Sequence, residues 1–236
     1  MKKLIIFASV IPFFLFSCTS KCIEDSGVRK EKITPVKEFS EIEIGGPIKL
    51  ILKQDSSFNV KISADSSILD KIEASVSGST LQLKLDTAAY CGKDSIVIHA
   101  GLKTLKYLKT QANSQVFSEG RLNLQDVKFI LKGNTGIHLD MSAAKVTTDV
   151  DGTARIDLKG QAGSHEVKTR GAVELNAFDF ISGIYLVDLK GLAKVNINVL
   201  NDLKVKTSGA TEIYYKGNPK NVNEQKTGAG KLEKVN

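Results

Sequence analysis

From residue 112 onward, apolar and polar positions fall into one phrase that recurs seven times: a small residue, three spacers, then an aliphatic residue. It runs Ala112 to Val116, Gly133 to Ile137, Gly152 to Ile156, Gly171 to Leu175, Gly191 to Val195, Gly209 to Ile213 and Gly228 to Leu232. The small residues are spaced by 21, 19, 19, 20, 18 and 19 positions. A period near 20 marks units that cannot bury an apolar face alone and must stack on their neighbours. The second place after each small residue is usually small as well (Thr135, Ala154, Ala193, Thr211), so the second and fourth places face inward together. Four places before each small residue stand Phe129, Thr148, Val167, Val187 and Val205, and six before it stand Val127, Val146, His165, Tyr185, Leu203 and Val222. Each repeat therefore carries a second inward-facing strand. Two strands per repeat, joined by polar corners such as residues 141–145 and 161–164 and stacked like on like, predict a parallel β-helix.

The outward places test that register. In a parallel stack, equivalent residues sit about 4.8 Å apart, where opposite charges help by a few tenths to about 1 kcal/mol and like charges repel. The third place after the small residue reads Arg155, Glu174, Lys194, Glu212, Lys231, and the third place before it reads Asp149, Lys168, Asp188, Lys206. Both columns alternate in sign, and a one-residue slip would scramble them. The charges read as register ladders.

Between Phe39 and Leu108 alternation persists but the repeat does not. Ile42, Ile44, Ile48, Leu50, Leu52, Val60, Ile62, Leu81, Leu83, Leu85, Ile96 and Ile98 mark strands separated by turn-rich segments. This irregular stretch is placed to cap the stack and hide its first strand edge. Beyond the first 18 residues there are six Phe, five Tyr and no Trp among many Val, Ile, Leu, Thr, Ser, Asn and Gly, the palette of an all-β chain. Its length suits a single domain.

The N-terminus reads as a targeting signal. Lys2 and Lys3 precede an apolar run from Leu4 to Phe16, too short to span a bilayer, and Leu15-Phe16-Ser17-Cys18 has the form of a bacterial lipobox. Residues 1–17 are thus expected to be a lipoprotein signal peptide. Residues 18–38 follow as a lipidated Cys18 with a flexible tether, and residues 39–236 as the folded domain. Thr19 favours the outer membrane over retention at the inner one. Loss of Lys2 and Lys3 leaves 31 basic against 26 acidic side chains, with no basic run interleaved by aromatics, so nucleic acid is not an expected partner. Cys22 and Cys91 remain, and an exported compartment permits them to pair as a disulfide or to stay as thiols.

Catalytic motifs are absent from the sequence: it has no Gly-x-Ser-x-Gly elbow, no phosphate loop and no His-Glu-x-x-His. His99, His138 and His165 lie far apart, with His165 expected inward and His138 outward. Asp149, Asp151 and Asp157, gathered around Gly152 beside Arg155, are the one candidate ligand site, for calcium or a substrate; membership of the charge ladders is the competing reading. No cofactor, resident metal or catalytic residue is expected.

The phrase Ser208-Gly209-Ala210-Thr211-Glu212-Ile213, followed by Tyr215-Lys216-Gly217-Asn218-Pro219 and Thr227-Gly228-Ala229-Gly230, resembles the head GIN domain family of autotransporter-type adhesins. Phe39-Ser40-Glu41-Ile42-Glu43-Ile44-Gly45, Gln54-Asp55 and Val76-Ser77-Gly78-Ser79-Thr80-Leu81 resemble that family's N-terminal half. The one departure is Ala112-Asn113 in place of the usual Gly. The resemblance implies an all-β, single-domain, right-handed parallel β-helix with rungs of about 19 to 20 residues behind an irregular N-terminal cap, on an envelope lipoprotein of a Bacteroidota bacterium, and it implies no chemistry. The expected function is a non-enzymatic envelope or cell-surface binding module, held to the membrane by its lipid and taking a protein or glycan ligand. The alternative is a carbohydrate-active β-helix enzyme, a polysaccharide lyase or hydrolase, for which the short corners offer no groove-building loops.

Overall fold

The computed structural model describes residues 22–85 and 90–236; the signal segment and Cys18 lie outside the described residues. Among those described, strands dominate and no α-helix forms. In chain order they are β1 (Arg29–Pro35), β2 (Glu41–Gly45), β3 (Ile48–Gln54), β4 (Asn59–Asp65), a 3-10 turn at Leu69–Lys71, β5 (Ile72–Ser77), β6 (Thr80–Leu85), β7 (Ile96–Leu102) and β8 (Tyr107–Gln111). The longer elements follow: β9 (Asn113–Asn123), β10 (Asp126–Lys216), β11 (Asn221–Thr227) and β12 (Gly230–Lys234). All twelve belong to one mixed sheet that wraps a shared core as a nearly closed, barrel-like surface.

Ninety-one consecutive residues of β10 are extended, and their side chains alternate in and out as the repeat pattern requires. Val146, Thr148, Val150, Ala154, Ile156 and Leu158 are all buried, while Lys145, Asp151, Thr153, Arg155 and Lys159 are exposed. The chain turns at its glycines. Gly152, Gly171, Gly191 and Gly209 have φ of +138°, +133°, +108° and +125°, and a Cβ on each would run into the carbonyl oxygen of the glycine one repeat earlier. Only glycine allows both that dihedral and that approach, which is why the small residue recurs. Ala112 takes the corner of the first phrase at φ +64°, so the departure from glycine there keeps the turn and accepts a left-handed alanine. Parallel registers join β10 to β8, β9, β11 and β12, pairing Ile137 with Val116, Leu203 with Val222 and Ile213 with Leu232.

Two expectations need correction. The sheet is not parallel throughout: β1 with β4, β4 with β7, and β5 with β6 are antiparallel. Nor is the N-terminal part irregular. There β2 and β6 continue one parallel column, and β3 and β7 another, each then closed by antiparallel strands. Antiparallel neighbours need only a tight turn, and Gly78 (φ +61°) in the first place of a two-residue loop between Ser77 and Thr80 supplies it.

The stretch expected to be a flexible tether is also tied down where it is described. Arg29 to Pro35 pair with β4, and Arg29 holds Asp94 through two bonds of 2.7 and 2.8 Å. Asp65, almost fully buried, accepts from Ser26 N, Ser26 Oγ, Gly27 N and Ser67 N. Asp25 accepts from Tyr90 Oη and from the backbone of Lys93 and Asp94. Between them Cys22 and Cys91 are joined as a disulfide, their Cα atoms 5.8 Å apart. Ser67 apart, the side-chain hydrogen bonds and the disulfide span 38 to 69 residues in sequence, beyond the reach of any local pattern.

Candidate functional site

Beyond each glycine corner the strand shows its first and third places outward, and stacking makes columns of them. The first-place column is small: Thr153, Ala172, Leu192, Ala210 and Ala229. The third-place column is charged: Arg155, Glu174, Lys194, Glu212 and Lys231. Together they line an open groove of about 800 Å³ that crosses five successive repeats. A floor of methyl groups beside a wall of alternating charge follows directly from the repeat. Leu192, 62 % exposed, is the one large aliphatic side chain in that floor.

The expected charge ladder forms in part. Arg155 Nη1 meets Glu174 on the next repeat at 3.0 Å, and Nε meets Asp157 of its own strand at 3.3 Å. In the other column Lys168 turns instead to Glu166, two residues away on its own strand, at 2.6 Å. A lysine stem is long enough to span either the about 4.8 Å to the next strand or the about 6.6 Å to the next outward place on its own strand.

Next to the charged wall runs a column that the sequence pattern did not single out. Lys49 Nζ sits 4.8 Å above the Phe117 ring, which stacks on His138 at 4.6 Å with 11° between planes. His138 Nδ1 lies 2.8 Å from Asp157 Oδ2, Asn176 donates to Asp157 Oδ1 at 2.8 Å, and Asn196 donates to Asn176 at 2.9 Å. Partial burial works to raise the Asp157 carboxyl, but the Asn176 hydrogen bond, the Arg155 charge and His138 outweigh it and hold the group below the usual carboxylate range. The column fixes register across the repeats. His138 spends its contacts on Phe117 and Asp157. The signal for the column is the fifth place after each small residue, which is Phe117 in the first repeat and polar in every later one, His138, Asp157, Asn176 and Asn196 among them.

Asp149, Asp151 and Asp157 are not brought together. Gly152 turns the chain between them: Asp149 shares a shallow depression with Lys168, Asp188 and Lys190, Asp151 lies 3.8 Å from Arg170, and Asp157 belongs to the His138 column. Among the described residues no cluster of three His, Cys, Asp or Glu side chains is arranged to hold a metal ion. His165 is fully buried, bound to Thr148 at 3.0 Å and packed against Phe180 and Tyr185, and burial pushes its pKa down to about 3. It is a core residue.

The sequence matches the family model described as "Putative auto-transporter adhesin, head GIN domain" over residues 38–219. The structure is similar to a protein from Bacteroides fragilis called a putative adhesin, with a TM-score of 0.84 at 20 % identity over 90 % of this chain and 100 % of that one. A putative adhesin from Parabacteroides distasonis aligns with TM-score 0.66 at 18 % identity, covering 90 % and 99 %. A protein of the same organism called a putative lipid binding protein aligns with TM-score 0.65 at 17 % identity, covering 92 % and 100 %. At these identities the likeness shows a common fold. No protein of curated function matches the sequence.

Proposed function

Since the chain belongs to the head GIN domain family, we propose that it is a non-enzymatic binding module of the cell envelope, an adhesin-like protein whose ligand lies along the groove. The observation that carries this is the groove itself: it runs the length of five repeats, is walled by charges of alternating sign and is floored mostly by small side chains. Such a surface can hold an extended protein or glycan segment by many weak contacts repeated at the spacing of the strands. We read the stack as a right-handed parallel β-helix, supported by the glycine column and by the parallel registers on both sides of β10. We further propose that acylated Cys18 anchors it to the outer membrane, placing the domain at the periplasmic or outer surface.

The test uses residues 22–236, which hold the whole core, on an array of glycans and host-matrix proteins with a polysaccharide-lyase assay beside it. A ligand bound by the parent should be lost with Ala210→Trp, which fills the exposed groove floor beside Leu192 without touching the core. Retention by that variant, or cleavage of a polysaccharide, overturns the proposal. In the full chain, Cys18→Ala should release the protein from membranes and abolish palmitate labelling; unchanged retention refutes the anchor.

A further inference from the structure

Eight large aliphatic side chains are exposed among the described residues, and five of them fall between residues 181 and 200: Leu192 in the groove floor, and Ile181, Ile184, Leu186 and Leu200 away from it at 36 to 52 % exposure. Ile184 and Leu186 flank buried Tyr185 and so stand on the same outer side of their strand. Ile181 and Leu200 each follow a buried residue, Phe180 and Val199, at the corner leading into that face on successive repeats. This face lies before the glycine corner, whereas the groove lies after it.

Cations surround these side chains. Leu186 shares a shallow depression of about 340 Å³ with Lys168, Lys204 and Lys206, and exposed Lys190 stands two residues beyond Asp188 on the same side. Lys168 is neutralised by Glu166, and Asp202 at the edge accepts from Asn221 at 2.6 Å. Lys190, Lys204 and Lys206 have no carboxylate within ion-pair distance among the described residues; of the two acids lining the depression, Glu166 is taken by Lys168 and Asp188 is unpaired, and Asp149 lines the neighbouring depression with Asp188 and Lys190.

We propose that this face docks on an anionic lipid surface, with the four aliphatic tips in the headgroup layer and the three lysines on lipid phosphates. Exposed aliphatics clustered on one face mark a protein or membrane contact. Lipid is favoured because the patch has no aromatic anchor and no deep pocket, the features on which protein interfaces concentrate their affinity. It has instead short apolar tips interleaved with lysines whose flexible stems let the ammonium groups reach a headgroup plane. The site is separate from the groove, so the domain would rest on lipid while the groove stays open.

Co-sedimentation of residues 22–236 with vesicles tests this, comparing phosphatidylethanolamine mixed with phosphatidylglycerol against phosphatidylcholine alone. The anionic vesicles should bind and release the protein as salt rises. At about fivefold per neutralised lysine, Lys204→Gln with Lys206→Gln should weaken partition about thirtyfold. Ile184→Ser with Leu186→Ser should also weaken it, whereas Leu192→Ser in the groove should change nothing; all these positions are exposed, and circular dichroism checks the fold. Equal binding to both vesicle types overturns the proposal, as does patch variants binding like the parent. So does a parent that ignores vesicles and self-associates through the patch, which would make the face a protein interface. A groove that binds nothing on the array leaves this experiment unaffected, so the two proposals fail separately.

Discussion

Gly171→Ala is the sharpest probe of how the repeats are held together. Gly171 sits at φ +133°, far from the left-handed well near +57° that an alanine can enter, and its missing side chain faces the carbonyl of Gly152. The backbone term alone costs on the order of 1–3 kcal/mol. A methyl group forced between two packed backbones adds about 1–3 kcal/mol more, because neither strand can shift without disturbing its own ladder. The sum, about 4 kcal/mol, is a large share of the roughly 5–15 kcal/mol that holds a domain folded. Gly120→Ala is the control: Gly120 also has positive φ, +80°, but nothing lies within 4 Å of where its Cβ would stand, so only about 1 kcal/mol should be lost. Urea unfolding followed by circular dichroism measures both, with an unchanged m-value required to assign the difference to the native state. Equal, small losses would refute the argument that successive repeats touch through their glycines.

Glu174→Lys replaces the acid that meets Arg155 and should cost at most about 1 kcal/mol at low salt and less at high salt, since both side chains are about half exposed; Ile156→Asp, at a buried position, should cost several kcal/mol at any salt, and equal mild effects would show the inward and outward assignments to be wrong. His165 is neutral in the fold down to about pH 3, whereas the unfolded chain takes its proton near 6.5. Its contribution is therefore complete above about pH 6.5 and is lost as pH falls toward 3, by up to about 1.4 kcal/mol per pH unit, and His165→Gln should remove that part of the slope in urea titrations; an identical slope in both proteins would refute it.

The sequence made the repeat legible because one period carries three independent signals: the glycine, the inward aliphatic places and the alternating outward charge. Residues 112–232 could be placed in or out almost individually, down to His165 inside and His138 outside. Pairing direction before residue 112 was not legible. Alternation reports which face a residue takes and is silent on whether its neighbour runs parallel or antiparallel, so β1, β4 and β5 were missed as antiparallel strands. The charge-rich stretch around Arg29 read as solvated for a related reason. Its partners Asp65, Tyr90 and Asp94 are all long-range, and a polar composition that looks like a tether is equally suited to a clamp of charged hydrogen bonds. The carboxylates around Gly152 are close in sequence but apart in space, because the corner turns the chain between them.

In the last described repeat the inward places change character. The register pairs Glu224 with Val205 and Lys226 with Thr207, both buried, so two charged residues occupy columns that every earlier repeat fills with apolar side chains or threonine. Neither charge is driven into the core, because β11 is exposed along its whole length. The Lys226 stem passes close to Gly230, so its methylene groups lie over the end of the interior while the ammonium stays in water. A further repeat, or a second copy of the chain stacking end to end, would have to bury both charges, which is costly unless they find each other with good geometry. Inward-pointing charge on a terminal strand is one of the ways sheets avoid adding strands. The inward places thus turn polar at β11, while the groove, whose walls are outward places, runs on to Ala229 and Lys231 unaffected.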